Sequence, residues 1–261
     1  MKVGIIGAGN MGGAIARGLV NKNTLSASDI VVCDLGVDKL NELARDCEGI
    51  NVSTDNVEAT RDTDVIVIAV KPWLVRTVLE GIASSIDYSR QTVVSIAAGV
   101  TLDELQALTS PQASIFRLIP NTAISVGESM TFISHNKVAT AEQIAAVVAL
   151  FDTLGKASVI EERLMGAATA LCSCGIAYAM RYVRAAMQGG VEMGIYPGES
   201  KDYVLQTLRG AVALLEATGN NPEVEIDKVT TPGGITIKGL NEMEANGFSN
   251  AVIKGLKASN K

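Results

Sequence analysis

The sequence predicts an α/β protein in two parts: an N-terminal domain on a mostly parallel sheet, residues 1–160, and an all-helical C-terminal domain, residues 161–261. Three observations predict this. Short apolar runs alternate with helical patterns through the first part, as in successive βαβ units. After about Glu161 the strand-like runs stop and long helical stretches follow. A glycine-rich hexapeptide, Gly7-Ala8-Gly9-Asn10-Met11-Gly12, joins the first apolar run to the first helical pattern.

In chain order, strands are expected near Val3–Ile6, Asp29–Asp34, Asp64–Val70, Thr92–Ile96 and Ser114–Leu118. The run Val65-Ile66-Val67-Ile68-Ala69-Val70 is apolar at every position, as in a strand covered on both faces. Helices are expected over Met11–Asn21, Val37–Cys47, Trp73–Ser84 and Leu102–Leu108. A strand near Met130–Ile133, a helix over Ala141–Leu154 and a strand near Ala157–Ile160 close the domain. The C-terminal part then reads as helices over Glu162–Met193, Glu199–Thr218 and Ile235–Asn246. Gly194-Ile195-Tyr196-Pro197 and Gly219-Asn220-Asn221-Pro222 carry the stop-and-turn signals between helices. The first of these helices is rich in small residues, among them Gly166, Ala170, Gly175, Ala186, Gly189 and Gly190, which permit close helix packing. A bundle of this size would bury such faces well by pairing with a second copy.

A chain of 261 residues, 48% hydrophobic, is large enough for a sizeable core. Its formal charge of -6 speaks against a general nucleic-acid surface, and no nucleic-acid partner is expected. Four cysteines (Cys33, Cys47, Cys172, Cys174) and one histidine, His135, are too scattered for a metal centre. They read as free thiols of a reducing compartment, and a cytoplasmic location is expected. The apolar run at the N-terminus is too short for a signal sequence, and no segment approaches the roughly 20 apolar residues of a membrane span, so no membrane partner is expected.

The hexapeptide has the spacing of a dinucleotide-binding turn in a Rossmann-like domain. Gly7 permits the tight turn, Gly9 lets backbone approach a pyrophosphate, and Gly12 lets helix and strand pack closely. Asn10 and Met11 open the helix whose N-terminus would face the phosphates. The second strand ends at Asp34, where a carboxylate bonds ribose hydroxyls and repels a 2′-phosphate; this favours NADH over NADPH. Lys39 is the nearest cation. Ala69-Val70-Lys71-Pro72 and Ala97-Ala98 end further strands, on the side where such sheets bind ligands, and Asn56 is either a turn residue or an adenosine contact. Arg117 reads more simply as an ion-pair partner than as a ligand group. Near the C-terminus, Thr230-Thr231-Pro232-Gly233-Gly234-Ile235-Thr236 runs a hydroxyl-rich turn into a helix. Its amides suit a carboxylate; alternatively, Thr231 only caps the helix.

Taken with Arg117-Leu118-Ile119-Pro120-Asn121-Thr122 and Gly189-Gly190-Val191-Glu192-Met193-Gly194, these stretches resemble pyrroline-5-carboxylate reductase, the last enzyme of proline biosynthesis, over essentially the whole chain. The resemblance implies an oxidoreductase that transfers hydride from NADH or NADPH to the C=N carbon of 1-pyrroline-5-carboxylate, giving L-proline. It implies a homodimer through the helical domain, with further assembly in some members. Thr231, Gly233, Gly234 and Thr236 would contact substrate, and Thr236 would serve catalysis by bonding the ring nitrogen. The family's Ser-Gly-Ser-Gly-Pro-Ala-Tyr pattern is here Cys172-Ser173-Cys174-Gly175-Ile176-Ala177-Tyr178, and the proline usual after Asn-Thr is Ala123. Loss of the first proline predicts a straighter helix.

Other readings are a reductase of a related cyclic imino acid and a non-catalytic NAD(P)-binding relative. A 3-hydroxyacid dehydrogenase fits less well. It would place a lysine on the first helix after the nucleotide domain, and Glu162–Met193 has only Arg163, Arg181 and Arg184 as cations. A histidine base is equally ill served, because His135 is expected in a polar loop.

Overall fold

The computed structural model describes residues 1–260. Contacts divide the chain into two compact units, Met1–Ser173 and Cys174–Lys261.

The first unit is built on an eight-stranded sheet: β1 (Val3–Ile6), β2 (Ile30–Cys33), β3 (Asn51–Ser53), β4 (Val65–Ile68), β5 (Thr92–Ser95), β6 (Ser114–Ile119), β7 (Ser129–His135) and β8 (Gly155–Val159). The spatial order is β3-β2-β1-β4-β5-β6-β7-β8. All neighbours are parallel except β6 and β7. The link from β6 to β7 is a short 3₁₀ turn, Thr122–Val126, too brief for the crossover that a parallel neighbour needs. The chain leaves β1 toward β2 and β3, then returns across it to β4, which creates the switch point where doubly wound sheets bind ligands.

Alternation along the strands builds two cores. Val3, Ile5, Val65, Val67, Val94 and Phe116 face one side, packed against α1 (Asn10–Asn21), α2 (Val37–Asp46) and α5 (Ala141–Asp152). Ile6, Ile66, Ile68, Val93 and Ile115 face the other, packed against α3 (Val75–Ile82) and α4 (Leu102–Ala107). A Cβ at Gly4 would overlap the Ala59 carbonyl, so the short 3₁₀ turn Asn56–Thr60 lies directly on β1. Capping boxes, Thr101 with Glu104 and Thr140 with Gln143, start α4 and α5.

Several expectations need correction. The strand β3 was not expected; its exposed, polar edge sequence carries no apolar alternation. The expected helix Trp73–Ser84 is a 3₁₀ turn at Pro72–Leu74, α3, and a second 3₁₀ turn at Ala83–Ser85. His135 is the last residue of β7, not a loop residue. Its ring packs on Phe116 with centroids 5.8 Å apart, and its Nδ1 lies 2.9 Å from the Asn136 carbonyl oxygen.

After β8, the expected single helix Glu162–Met193 is four pieces: a 3₁₀ turn (Glu162–Leu164), α6 (Met165–Ala168), a π-helical segment (Thr169–Cys174) and α7 (Gly175–Glu192). The helix is therefore not regular where the missing proline had predicted straightness. Asn121 Nδ2 donates to the Cys172 carbonyl at 3.3 Å, inside this π segment. The run Glu162–Glu192 is long and apolar enough, by length and composition, to cross a membrane. The expectation that no segment comes near a span is corrected accordingly: helix merges short Ala-, Gly- and Met-rich stretches across isolated arginines.

The second unit holds α7, then α8 (Pro197–Thr218), α9 (Pro222–Val229), α10 (Ile235–Ala245) and α11 (Phe248–Ser259). α9 and α11 were not expected. α9 is only eight residues long, and α11 follows α10 after a glycine, Gly247, in the left-handed region. The Tyr178 hydroxyl reaches the Ser259 hydroxyl and ties α7 to the end of α11. Every buried apolar side chain of the chain lies at or before Ala170; of the second unit, only Gly190 and Ser200 are buried among the described residues.

Glu162 fastens the chain after β8 to the sheet. Its Oε1 accepts from Arg117 Nη1 at 2.8 Å and from the Leu102 amide, at the start of α4, at 2.8 Å. Arg117 is thus an ion-pair partner, only 12% exposed in its side chain, and its Nε is buried without a partner. Glu162→Ala leaves a nearly buried guanidinium and a helix-start amide unpaired. The expected cost is about 1–3 kcal/mol, read as a lowered urea midpoint, with Glu162→Gln closer to wild type because it keeps the acceptor. An unchanged midpoint in the alanine variant contradicts this account.

Candidate functional site

The carboxyl ends of β1, β2 and β4 enclose a cavity of about 590 Å³. Gly7, Gly9, Asp34, Asn56, Ala69, Val70 and Lys71 all line it, together with Leu35, Gly36, Lys39, Leu74, Thr77 and Val78. Seven of the residues expected to bind coenzyme therefore meet in one crevice, and Lys39, the nearest cation in the sequence, joins them.

Each glycine of the loop is there for a different reason. Gly7 sits at φ +110°, and a Cβ there would lie 2.6 Å from the Ala69 carbonyl oxygen; conformation and space both exclude a side chain. At Gly12 a Cβ would overlap the Gly7 carbonyl oxygen, so helix and strand touch by backbone. Gly9 differs. Its φ of -70° and ψ of -171° suit any residue, and a Cβ there would meet nothing within 4 Å. The chain itself leaves that space open, as a ligand-approach position requires.

Gly9 is also the N-cap of α1. No side chain caps the helix, and no acidic residue stands in its first turn. Its first amides are therefore available to an anion, with the helix dipole in support. Asn10 and Met11 do not line the 590 Å³ cavity. They line a neighbouring one of about 390 Å³ with Ala14, Arg17, Thr122, Ile124 and Ser125. The sequence did not flag Arg17 or Ser125, which become neighbours of the loop only through the packing of α1 on the Thr122–Val126 turn. Gly12, Pro72, Ala97 and Ala98 line neither cavity. Pro72 opens the 3₁₀ turn after β4, Ala97 is buried after β5, and Ala98 is exposed.

Asp34 is held at both oxygens. Oδ2 accepts from the Ala8 amide at 2.8 Å and Oδ1 from the Gly36 amide at 2.7 Å. The Lys39 ammonium stands 3.5 Å from Oδ2. Asp34 thus ties the glycine loop to the turn before α2. Asn56, the first residue of its 3₁₀ turn, follows Asp55, whose side chain accepts from the Val57 amide at 2.9 Å. Burial pushes the Cys33 thiol up to about 11, so it stays neutral beside the cavity; burial raises the Cys172 thiol too. All four cysteines are free.

In the second unit, the turn before α10 has a matching logic. Gly233 sits at φ +71°, and the Gly234 amide donates to the Thr231 carbonyl at 2.9 Å. Gly234, not Thr231, is the N-cap of α10, with no side-chain cap and no acidic residue in the first turn. The hydroxyls of Thr231 and Thr236 have no hydrogen-bond partner among the described residues. The four expected substrate residues, Thr231, Gly233, Gly234 and Thr236, therefore lie in or next to one turn, at a helix start that no side chain caps. Among the described residues no cluster of His, Cys, Asp and Glu could hold a metal ion.

Comparison with known proteins places these features in a family. Residues 162–261 match a model described as pyrroline-5-carboxylate reductase dimerisation, and residues 2–99 one described as NADP oxidoreductase, coenzyme F420-dependent. Pyrroline-5-carboxylate reductase 2 of Dictyostelium discoideum is 36% identical over 98% of this chain and 90% of its own length. Pyrroline-5-carboxylate reductase 1 of the same organism is 37% identical over 98% of this chain, which spans only 48% of that longer protein. The crystal structure of Plasmodium falciparum pyrroline carboxylate reductase with NADP bound superposes with a TM-score of 0.88 at 29% identity, covering 99% of this chain and 95% of that one. The chain belongs to the pyrroline-5-carboxylate reductase family.

Proposed function

We propose that this protein reduces 1-pyrroline-5-carboxylate to L-proline with a nicotinamide coenzyme, working as a homodimer. The observation that carries the substrate reading is the turn Thr231–Gly234 running into α10, with its uncapped amides and two unpaired hydroxyls. A small cyclic imino acid presents a carboxylate to those amides and a ring nitrogen to a hydroxyl.

The Gly7–Gly12 loop and the start of α1 suit a pyrophosphate, and the open space at Gly9 is a cradle that a side chain would fill. Asn56, Ala69, Val70 and Lys71 form the further wall of that site in this reading, Pro72 opens the turn that follows it, and Ala97-Ala98 offers small residues after β5. At the ribose edge, coenzyme preference is decided between the Asp34 carboxylate and the Lys39 ammonium. The coenzyme supplies a hydride. The chain's own residues supply placement: α10 amides hold the carboxylate, and Thr236 accepts the N–H of the protonated imine. Hydride reaches the C=N carbon, the C=N π pair collapses onto nitrogen, and the ring amine of proline results. A protonated imine is already electrophilic, so no strong base is needed. That suits a chain whose single histidine is packed against Phe116.

Homodimer formation is supported by the second unit's lack of a buried core. Met193 is 79% exposed and Ile235 86%, and an apolar groove of about 720 Å³ lies along α7 between Tyr178, Tyr182, Met243 and Phe248. A second copy covers such faces in water, whereas a lipid bilayer would also have to accept Arg181 and Arg184 on the same helix.

Gly9→Val is expected to fold normally and to lose at least about 100-fold in coenzyme affinity, measured by calorimetry, because its side chain fills ligand space and touches no protein. Normal affinity contradicts the nucleotide assignment. Thr236→Ala is expected to lose about 100-fold in kcat with coenzyme affinity intact; unchanged turnover removes Thr236 from the mechanism. Light scattering is expected to give a mass of at least two chains down to micromolar protein, and a monomer mass there contradicts the dimer.

A further inference from the structure

Lys39 stands in the first turn of α2, lines the 590 Å³ crevice and is 55% exposed in its side chain. Its only charged neighbour at close range among the described residues is Asp34, at 3.5 Å. In a nucleotide crevice of this topology, an acidic residue ending β2 accepts ribose hydroxyls and turns away a 2′-phosphate. Here the carboxylate is otherwise engaged. Oδ1 takes the Gly36 amide at 2.7 Å, and Oδ2 takes the Ala8 amide at 2.8 Å and the Lys39 ammonium besides. Its side chain is 15% exposed. Two backbone donors stay on the carboxylate when Lys39 turns away, so the field it offers an incoming phosphate is weaker than that of a free carboxylate.

Lys39 is on the other side of that balance. Its exposed pair with Asp34 contributes little, and its long stem is free to turn. A 2′-phosphate carries close to two negative charges and three strong acceptor oxygens, a better partner than a carboxylate already bonded twice. The turn adds no bulk of its own: Gly36 has no side chain beside Asp34 Oδ1 and the Lys39 stem, and Leu35, which lines the same crevice, is 82% exposed.

We propose that Lys39 is the residue that selects coenzyme, turning from Asp34 to a 2′-phosphate, and that Asp34 is a positioning strut between the glycine loop and α2. The protein then binds NADPH more tightly than NADH, opposite to the preference that Asp34 alone implies. This rests on the nucleotide reading of the crevice. The test is calorimetric titration of the full-length protein with NADPH and with NADH at low salt.

Wild type is expected to bind NADPH at least tenfold more tightly. Lys39→Met is expected to bring the two affinities within twofold by weakening NADPH alone, and Lys39→Arg to restore the gap. Asp34→Asn, which exchanges one acceptor of the strut for a donor, is expected to weaken both coenzymes alike. Tighter NADH binding in wild type, or a Lys39→Met variant that changes both affinities or neither, overturns the proposal. So does an Asp34→Asn variant that gains NADPH affinity alone. Failure of both coenzymes to bind overturns the nucleotide reading as well, whereas NADH binding without an NADPH advantage overturns only the role of Lys39.

Discussion

The first unit depends on a backbone-to-backbone approach at the carboxyl ends of β1 and β4. Gly7 turns at φ +110° directly against the Ala69 carbonyl, and Gly12 brings α1 onto the Gly7 carbonyl. No side chain fits at either place. α1 therefore starts directly at the end of β1, and its first amides carry no side-chain cap. The Gly7 amide donates to the Cys33 carbonyl at 2.7 Å, and the Ala8 amide donates to Oδ2 of Asp34, the residue after Cys33. The loop is thus bonded twice to the end of β2 before any ligand arrives, which lowers the ordering cost of binding.

The two units solve the problem of stability differently. In the first, strands covered on both faces bury Ile5, Ile66, Ile68, Phe116 and Phe151 almost completely. Each such side chain contributes roughly 1.5–3 kcal/mol on removal from water, against a net stability of roughly 5–15 kcal/mol for a domain. Among the described residues the second unit has no comparable buried side chain. Its helices are well formed, with Pro197 and Pro222 at their starts and Gly219 in the left-handed conformation at the end of α8. Local signals make the helices, but the burial that would hold them together is missing within one chain. In the proposed homodimer a second copy supplies that burial, in keeping with the family model described as dimerisation that residues 162–261 match.

Most of the first unit was legible because its strands are apolar on both faces and its turns carry glycine. β3 was not, since an edge strand reading Asn51-Val52-Ser53 offers no pattern. α11 was missed because Gly247 and the polar Asn246 look like an ending, not a link between helices. The π segment Thr169–Cys174 leaves no compositional trace; it is visible only where Asn121 meets the Cys172 carbonyl, 51 positions away. At the site, residue types identified the crevice members Gly7, Asp34 and Lys71, but not which atoms are free. That Asp34 is committed to two amides, that Gly9 faces empty space and that Gly234 rather than Thr231 caps α10 are facts of backbone geometry. Residue identity does not contain them.

Hydride transfer to a cyclic imine is the central claim, and an isotopic label tests it directly. The purified protein is given 1-pyrroline-5-carboxylate and a reduced nicotinamide coenzyme carrying deuterium at both C4 positions, and the amino acid formed is read by mass spectrometry and NMR. The account predicts L-proline with a single deuterium on C5. Coenzyme left unoxidised, or proline formed without that deuterium, contradicts it.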